Sequence, residues 1–310
     1  MTDTNPNPFI KSLRDSSGLR LAVLFGSFFV FLCVASILSV LIDGIPGSEK
    51  SHLLLNSFIQ CLLVFCLPAY LLSKFSSSNW EEWLKLKKAP SVKSLAGVVI
   101  LYVISLPAME WLVEWNSHLA LPESLSGLDK MLREWEESAA STTNIILQSE
   151  SLFSMISSVL IVGVLTGFSE ELFFRGGVQG VFCQSGMKKS MAVWLAAFIF
   201  SAMHFQFFGF IPRLLMGACF GYLLLWTGSI WVPIFAHVLN NSIVVISAYI
   251  TGNSEANNPV LNTGSMVFVI GSLILTVIFL SLGRNIFFTN NITETAEKWQ
   301  KNQLPPVSEK

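Results

Sequence analysis

Residues 152–182 read LFSMISSVLIVGVLTGFSEELFFRGGVQGVF, an apolar run that holds two adjacent glutamates and an arginine. A membrane-spanning helix needs about 20 mostly apolar residues, and this run supplies them. Charged side chains inside a bilayer are costly, so Glu170, Glu171 and Arg175 are candidates for a functional site. The run therefore predicts a membrane helix with a polar site partway along it.

The composition of the whole chain indicates a membrane protein. The 310 residues are 52% hydrophobic and 13% charged, and the mean hydropathy is +0.60. Soluble domains carry about 25% charged residues. The net charge of -1 gives no basic surface, so no nucleic-acid partner is expected. The five cysteines form no Cys-x-x-Cys pair, so neither a disulfide framework nor a thiolate metal site is indicated.

Apolar runs of sufficient length predict about eight membrane helices. They cover residues 21–42, 53–72, 95–113, 152–182, 191–208, 214–226, 230–250 and 266–288, of which 214–226 is the shortest. With both termini in the cytoplasm, most of the 19 Lys and Arg residues fall on the cytoplasmic side. We therefore expect an all-α, polytopic membrane protein with cytoplasmic N- and C-termini. A bacterial plasma membrane is the expected location.

Two segments outside these spans are predicted to lie at the membrane surface. Residues 79–84 read as a short helix with Trp80, Trp83 and Leu84 on one face, which suits the headgroup layer. Residues 122–137 place leucines and Trp135 at helical spacing among acidic residues, which predicts an amphipathic helix.

Two further polar groups lie in apolar segments downstream. One is His204, at the end of Phe-Ser-Ala-Met-His, and the other is the pair His237 and Asn241, which share a helix face at i,i+4 spacing. Glu171 and Arg175 have the same spacing and can pair, while Glu170 points about 100° away round the helix.

These side chains are suited to hydrolysis in either of two ways. Glu170, His204 and His237 are the ligand types of a catalytic zinc site, so zinc is a candidate cofactor. Without a metal, Glu170 can take a proton from water while a histidine or asparagine donates to the developing oxyanion. The residues alone leave both possibilities open.

Three motifs in this order resemble those of the CPBP (CAAX-processing and bacteriocin-processing, or Abi) family of intramembrane proteases: Glu170-Glu171-x-x-x-Arg175, Phe200-x-x-x-His204 and His237-x-x-x-Asn241. Phe174 and Gly176 beside the arginine, and Trp231 and Pro233 before His237, fit as well. The resemblance covers residues 150–250. The family includes prenyl-protein endopeptidases and is commonly classed with metallopeptidases.

The resemblance implies roles for the motif residues. Glu170 would be the general base, His204 would hold the water or a metal, and His237 and Asn241 would stabilise the oxyanion. Glu171 and Arg175 would be structural or orienting. The implied activity is cleavage of a peptide bond in a membrane-associated substrate, with prenylated CAAX-type peptides as candidates, and the bilayer is the other expected partner.

On this basis the chain is expected to divide into four regions. Residues 1–150 form N-terminal membrane helices and interfacial segments, 151–250 the catalytic helical core, 251–288 the last membrane helix, and 289–310 a polar tail. Two other functions remain open at this point. One is a non-catalytic membrane scaffold or regulator, and the other is a proton-coupled transporter that uses Glu170 and the two histidines as a relay.

Overall fold

The computed structural model describes residues 8–149, 151–252 and 265–288. Its helices are α1 (Pro8–Asp15), α2 (Ser17–Asp43), α3 (Glu49–Ser76), α4 (Trp80–Trp83), α5 (Val92–Ser117), α6 (Ser126–Leu147), α7 (Leu152–Gln184), α8 (Lys189–Ala202), α9 (Phe210–Thr227), α10 (Trp231–Thr251) and α11 (Met266–Phe287). No β-strand occurs in these ranges. The expectation of an all-α, polytopic membrane protein is confirmed. The polar tail predicted at 289–310 lies outside the described residues.

Seven helices in the described part of the chain are long and apolar enough to cross a membrane. The predicted span 191–208 is instead the 14-residue helix α8, which at about 1.5 Å per residue is too short to cross a core of about 30 Å. It ends early because the chain turns at residues 203–206, where Phe205 has a left-handed φ of 53°. The segment 214–226, shortest in the sequence, belongs to an apolar helical segment of 21 residues, Phe207–Thr227.

The second half of α7 lies at the centre of the helix bundle. Every residue from Ser169 to Cys183 is buried. Side chains of α2, α3, α8 and α9 surround it in one apolar cluster. By contrast, α11 exposes its apolar side chains, with Val267 76% and Phe268 68% exposed, as expected of a helix in contact with lipid. The charged motif of α7 is therefore enclosed by protein.

Two glycines on α9 let α7 approach closely. Arg175 donates from Nη2 to the carbonyl of Gly217 at 2.9 Å, and Gln179 donates from Nε2 to the carbonyl of Gly221 at 3.1 Å. Small residues four apart are the usual means by which membrane helices pack, since lipid provides no hydrophobic drive between them. This seam fixes the position of α7 against α9.

Replacing Gly221 with alanine is expected to destabilise the protein. The new Cβ would lie 2.7 Å from Gln179 Oε1 and 2.8 Å from Val193 Cγ1. Overpacking of this kind costs about 1–3 kcal/mol. Thermal unfolding in detergent should therefore show a lower midpoint for Gly221→Ala. The matched control is Gly271→Ala, which meets nothing within 4 Å and should leave the midpoint unchanged or raise it.

The turn between α9 and α10 is buried beneath the loop that follows α4. Four hydrogen bonds join them: Ile230 N to Lys85 O at 3.2 Å, Ser229 Oγ to Lys88 O at 2.5 Å, Lys88 Nζ to Thr227 O at 2.6 Å, and Trp231 Nε1 to Leu86 O at 2.7 Å. Trp83 and Leu84 are 3% and 1% exposed, so their predicted place among headgroups is wrong. They pack into the core, where Gly176 and Gly180 leave room for them.

Candidate active site

Glu171 is the central residue of the polar site on α7. Its side chain is fully buried, and Oε1 accepts a hydrogen bond from Arg175 Nη1 at 2.9 Å, one helical turn along. The same oxygen lies 2.9 Å from His237 Nδ1 on α10. Arg175 is itself fixed by Gly217 and by the rings of Phe200 and Phe220 under its guanidinium. A buried carboxylate thus joins an arginine to a histidine.

The contact with Glu171 sets the orientation of His237. A carboxylate accepts only, so Nδ1 carries the proton and Nε2 presents its lone pair. Nε2 lies 3.8 Å from Glu170 Oε2. That is too long for a direct hydrogen bond, but one water can contact both atoms. Glu170 and His237 therefore face each other across a gap suited to a water.

His204 lies at the end of α8, close to these groups. Its Nδ1 is 2.8 Å from the carbonyl of Phe200, which leaves Nε2 available. The ring of Phe200 lies between the two histidines, 4.9 Å from the His204 ring and 6.1 Å from the His237 ring, and His237 in turn faces Glu170. The structure therefore brings together the candidates Glu170, His204 and His237 from three helices.

Asn241 is placed differently from the other candidates. It lies one turn after His237 on α10, but its Nδ2 donates to the carbonyl of Val162 at 3.1 Å and its Oδ1 accepts from Asn240. An asparagine side chain has two N–H groups, so one of them remains for an oxyanion.

The described residues contain no group of three or more His, Cys, Asp or Glu side chains arranged to hold a metal ion. Glu171 occupies one nitrogen of His237 and leaves the other, 3.8 Å from Glu170, free to face a water or an ion. The zinc candidate predicted from the sequence stays a prediction.

Two segments of α7 have the wider turns of a π-helix, Val159–Leu165 and Leu172–Gln179. They flank the α-helical turn that carries Glu170 and Glu171. Such segments are rare and often occur at functional sites, because they rotate side chains and free backbone carbonyls. The carbonyl of Val162, which Asn241 contacts, lies in the first of them. Apolar periodicity gives no sign of these segments.

A buried asparagine that the sequence did not single out holds the segment after His204. Asn116, at the end of α5, is 1% exposed. Its Nδ2 donates to the carbonyl of Phe207 at 3.2 Å, and its Oδ1 accepts from the backbone N–H of Ile211 at 2.9 Å. Asn116 lies beyond the predicted span 95–113, among Glu114, Ser117 and His118, so the apolar pattern gave no signal for it.

The predicted amphipathic helix also reaches this segment. It forms α6, from which Glu136 accepts hydrogen bonds from Phe208 N at 3.3 Å and Gln206 Nε2 at 3.4 Å. Trp135 packs edge-on against Phe205. Residues 203–209 are therefore held from both α5 and α6.

Replacing Asn116 with alanine is expected to loosen this segment and lower activity. The change leaves the partly buried N–H of Ile211 and carbonyl of Phe207 without their partner, at a cost of about 1 kcal/mol. Thermal unfolding and cleavage assays should both show a loss in Asn116→Ala. The control is Ser117→Ala, whose hydroxyl has local contacts alone, with the carbonyl of Glu114 and with Nδ1 of the neighbouring His118. Equal behaviour of the two variants would show that Asn116 does not hold the segment.

An open apolar cavity of about 540 Å³ lies elsewhere, between α10 and the loop after α4. None of the candidate site residues lines it. Its lining residues are Leu86, Lys87, Ala89, Pro90, Leu95, Trp231, Ile234, Phe235 and Val238.

Comparison with known proteins supports the resemblance seen in the motifs. Residues 152–243 match a family described as type II CAAX prenyl endopeptidase Rce1-like. A Bacillus subtilis (strain 168) protein described as uncharacterized protein YpbD is 28% identical over 92 residues, which are 28% of this chain and 44% of that protein. The match thus spans less than half of the relative's length. No solved structure matches the chain. The segment that carries Glu170, His204, His237 and Asn241 is thus similar to the Rce1-like family, within a multi-pass integral membrane protein.

Proposed function

We propose that the protein is an intramembrane endopeptidase in which Glu170 activates a water for attack on a peptide carbonyl. The observation that carries the proposal is the buried chain Arg175–Glu171–His237, which directs His237 Nε2 toward the Glu170 carboxylate. A structural ion pair needs only Arg175 and Glu171. A hydrolytic site also requires a histidine in a fixed orientation. His237 meets this requirement, because the Glu171 oxygen orients it and it faces the Glu170 carboxylate.

In the proposed reaction, a water lies between Glu170 and His237. Glu170 removes one proton as the water oxygen bonds to the carbonyl carbon, and the C=O electron pair moves to the oxygen. His204 Nε2 accepts the other hydrogen of the water as a hydrogen bond. When the C–N bond breaks, Glu170 gives its proton to the leaving amine, so the products are a carboxylic acid and an amine; the acid then loses its remaining proton to solvent and becomes a carboxylate.

The oxyanion needs donors, and the site offers two. One is the second N–H of Asn241. The other is His237, which can donate from Nε2 when that nitrogen carries a proton. Glu171 accepts from both Arg175 and His237 through one oxygen, so the ring of His237 keeps a fixed orientation. Asn241 also fixes α10 against α7 through Val162.

We propose that the substrate is a membrane-associated peptide cut near its C-terminus. The family description, which names CAAX prenyl endopeptidases, supports a prenylated CAAX-type peptide as the first to test. The site is enclosed by helices, so a substrate must enter from the bilayer or through a gap between helices.

The proposal is tested with purified protein in detergent, with and without a chelator. A quenched farnesylated CAAX peptide and a pool of unprenylated membrane peptides serve as substrates, and mass spectrometry identifies the products. Cleavage at one peptide bond supports the proposal. Loss of cleavage when the chelator is present would show that the reaction needs a metal ion such as zinc. Binding of these peptides without cleavage would favour the non-catalytic scaffold.

A further inference from the structure

Arg213 on α9 is a cation beside the candidate site to which the motifs assign no role. Its side chain is half-buried, and its guanidinium lies over Gly209, where any Cβ would collide with Nη2. Its hydrogen bond goes from Nη1 to the carbonyl of Gln206, at a long 3.4 Å. Among the described residues no carboxylate forms an ion pair with it. Most of its five N–H donors are therefore uncommitted.

Hydrogen bonds place Arg213 against the segment that follows His204, because it donates to the carbonyl of Gln206, two residues after that histidine. Glu136 contacts the same segment, and its two carboxylate oxygens accept from Gln206 and Phe208. Burial raises the pKa of Glu136, while the Arg213 charge opposes that shift. Arg213 thus lies on the segment next to His204 and near Glu136, without an ion pair to a carboxylate of the described residues.

A half-buried cation near the start of an apolar helix is costly unless it is paired. An arginine fork matches the two oxygens of a carboxylate and binds them in parallel, which a lysine cannot do. A peptide extends about 3.3–3.6 Å per residue, so a C-terminus a few residues beyond the cleaved bond can reach a cation on the segment that follows His204.

We propose that Arg213 binds the free C-terminal carboxylate of the peptide substrate. It is then a specificity-determining residue, and it directs the leaving fragment toward residues 203–209 and α6. The inference rests on the proposed endopeptidase function. Glu170 and Glu136 repel an incoming carboxylate, so binding depends on direct contact with the guanidinium and not on the overall charge of the site.

The test uses two peptides of one sequence, one with a free C-terminal carboxylate and one with a C-terminal amide. The wild type should show a KM about 10-fold lower for the acid, the effect of a charge-assisted hydrogen-bonded pair. Arg213→Gln should raise the KM of the acid to that of the amide, with kcat and the amide KM retained. Arg213→Lys should recover part of the difference. The control is Lys130→Gln, which removes a cation on α6 whose side chain is 80% exposed. It should keep the wild-type ratio of the KM for the acid to the KM for the amide.

Other outcomes overturn the inference. An equal fall of kcat for acid and amide in Arg213→Gln would place Arg213 at the reacting carbonyl or in support of the loop. A wild type that cuts both peptides equally would refute carboxylate recognition while the endopeptidase function stands.

A binding measurement separates the two failures when no peptide is cut. Fluorescence anisotropy with the Glu170→Gln variant reads the affinity for labelled acid and amide peptides without turnover. Tighter binding of the acid, lost on adding Arg213→Gln, supports the carboxylate site even where cleavage fails. Equal binding of acid and amide refutes it.

Discussion

Glu170→Gln is expected to abolish peptide cleavage and to leave the protein folded. Glutamine keeps the shape and hydrogen bonding of the side chain but cannot take a proton from water. Loss of a general base lowers kcat by roughly 10²–10⁴-fold. The loss of stability should be small, because the Glu170 carboxylate makes no close polar contact that the change would remove. Its approach to His237 Nε2, at 3.8 Å, is too long for a hydrogen bond.

Cleavage rates and thermal unfolding in the same detergent check this expectation. The matched control is Glu114→Gln, which makes the same change at an exposed position of α5 and should retain wild-type kcat. A Glu170→Gln protein with wild-type turnover would remove Glu170 from the mechanism. A Glu170→Gln protein that fails to fold would show that the side chain has a structural role.

Arg175→Met is expected to have the largest effect on stability. It leaves the Glu171 carboxylate, 0% exposed, without its ionic partner, and it removes the donor to Gly217. Removing one member of a buried ion pair costs about 3–5 kcal/mol. The thermal midpoint in detergent should fall well below that of Gly221→Ala.

A double variant separates the charge from the packing. Arg175→Met with Glu171→Gln has no buried unpaired charge, so it should recover much of the lost stability. It should still lack activity, because a neutral glutamine oxygen at position 171 accepts a weaker hydrogen bond from His237 than a carboxylate does and holds the ring less firmly. A double variant as unstable as Arg175→Met would show that the guanidinium acts mainly by packing on Phe200 and Phe220.

The sequence predicts the membrane spans well because hydrocarbon thickness fixes their length and composition. Its error lies at α8 and α9, where apolar residues continue through the turn at 203–209. Hydropathy does not show that Phe205 adopts a left-handed φ or that Asn116 and Glu136 hold this turn by long-range hydrogen bonds. Hydropathy also does not predict the burial of Trp83 and Leu84. A tryptophan at the edge of a membrane span can lie either among lipid headgroups or in a protein core, and tertiary contacts decide between the two.

The candidate site shows the same division between local spacing and tertiary contacts. The i,i+4 spacing of Glu171 and Arg175 predicts their pairing, and the structure has it at 2.9 Å. Spacing does not predict that His237 shares the same Glu171 oxygen, or that Asn241 turns to Val162. Both depend on how α10 packs against α7, and the π-helical turns of α7 alter that packing without any sign in the apolar pattern.

The most direct test of the account is peptide hydrolysis in oxygen-18-labelled water. The wild type and Glu170→Gln are compared, and mass spectrometry gives the masses of the products. The account predicts that the wild type places one heavy oxygen in the new carboxylate of the N-terminal fragment, and that Glu170→Gln forms almost no product. Labelled product at equal rates from both proteins would contradict the assignment of Glu170 as the base that activates water.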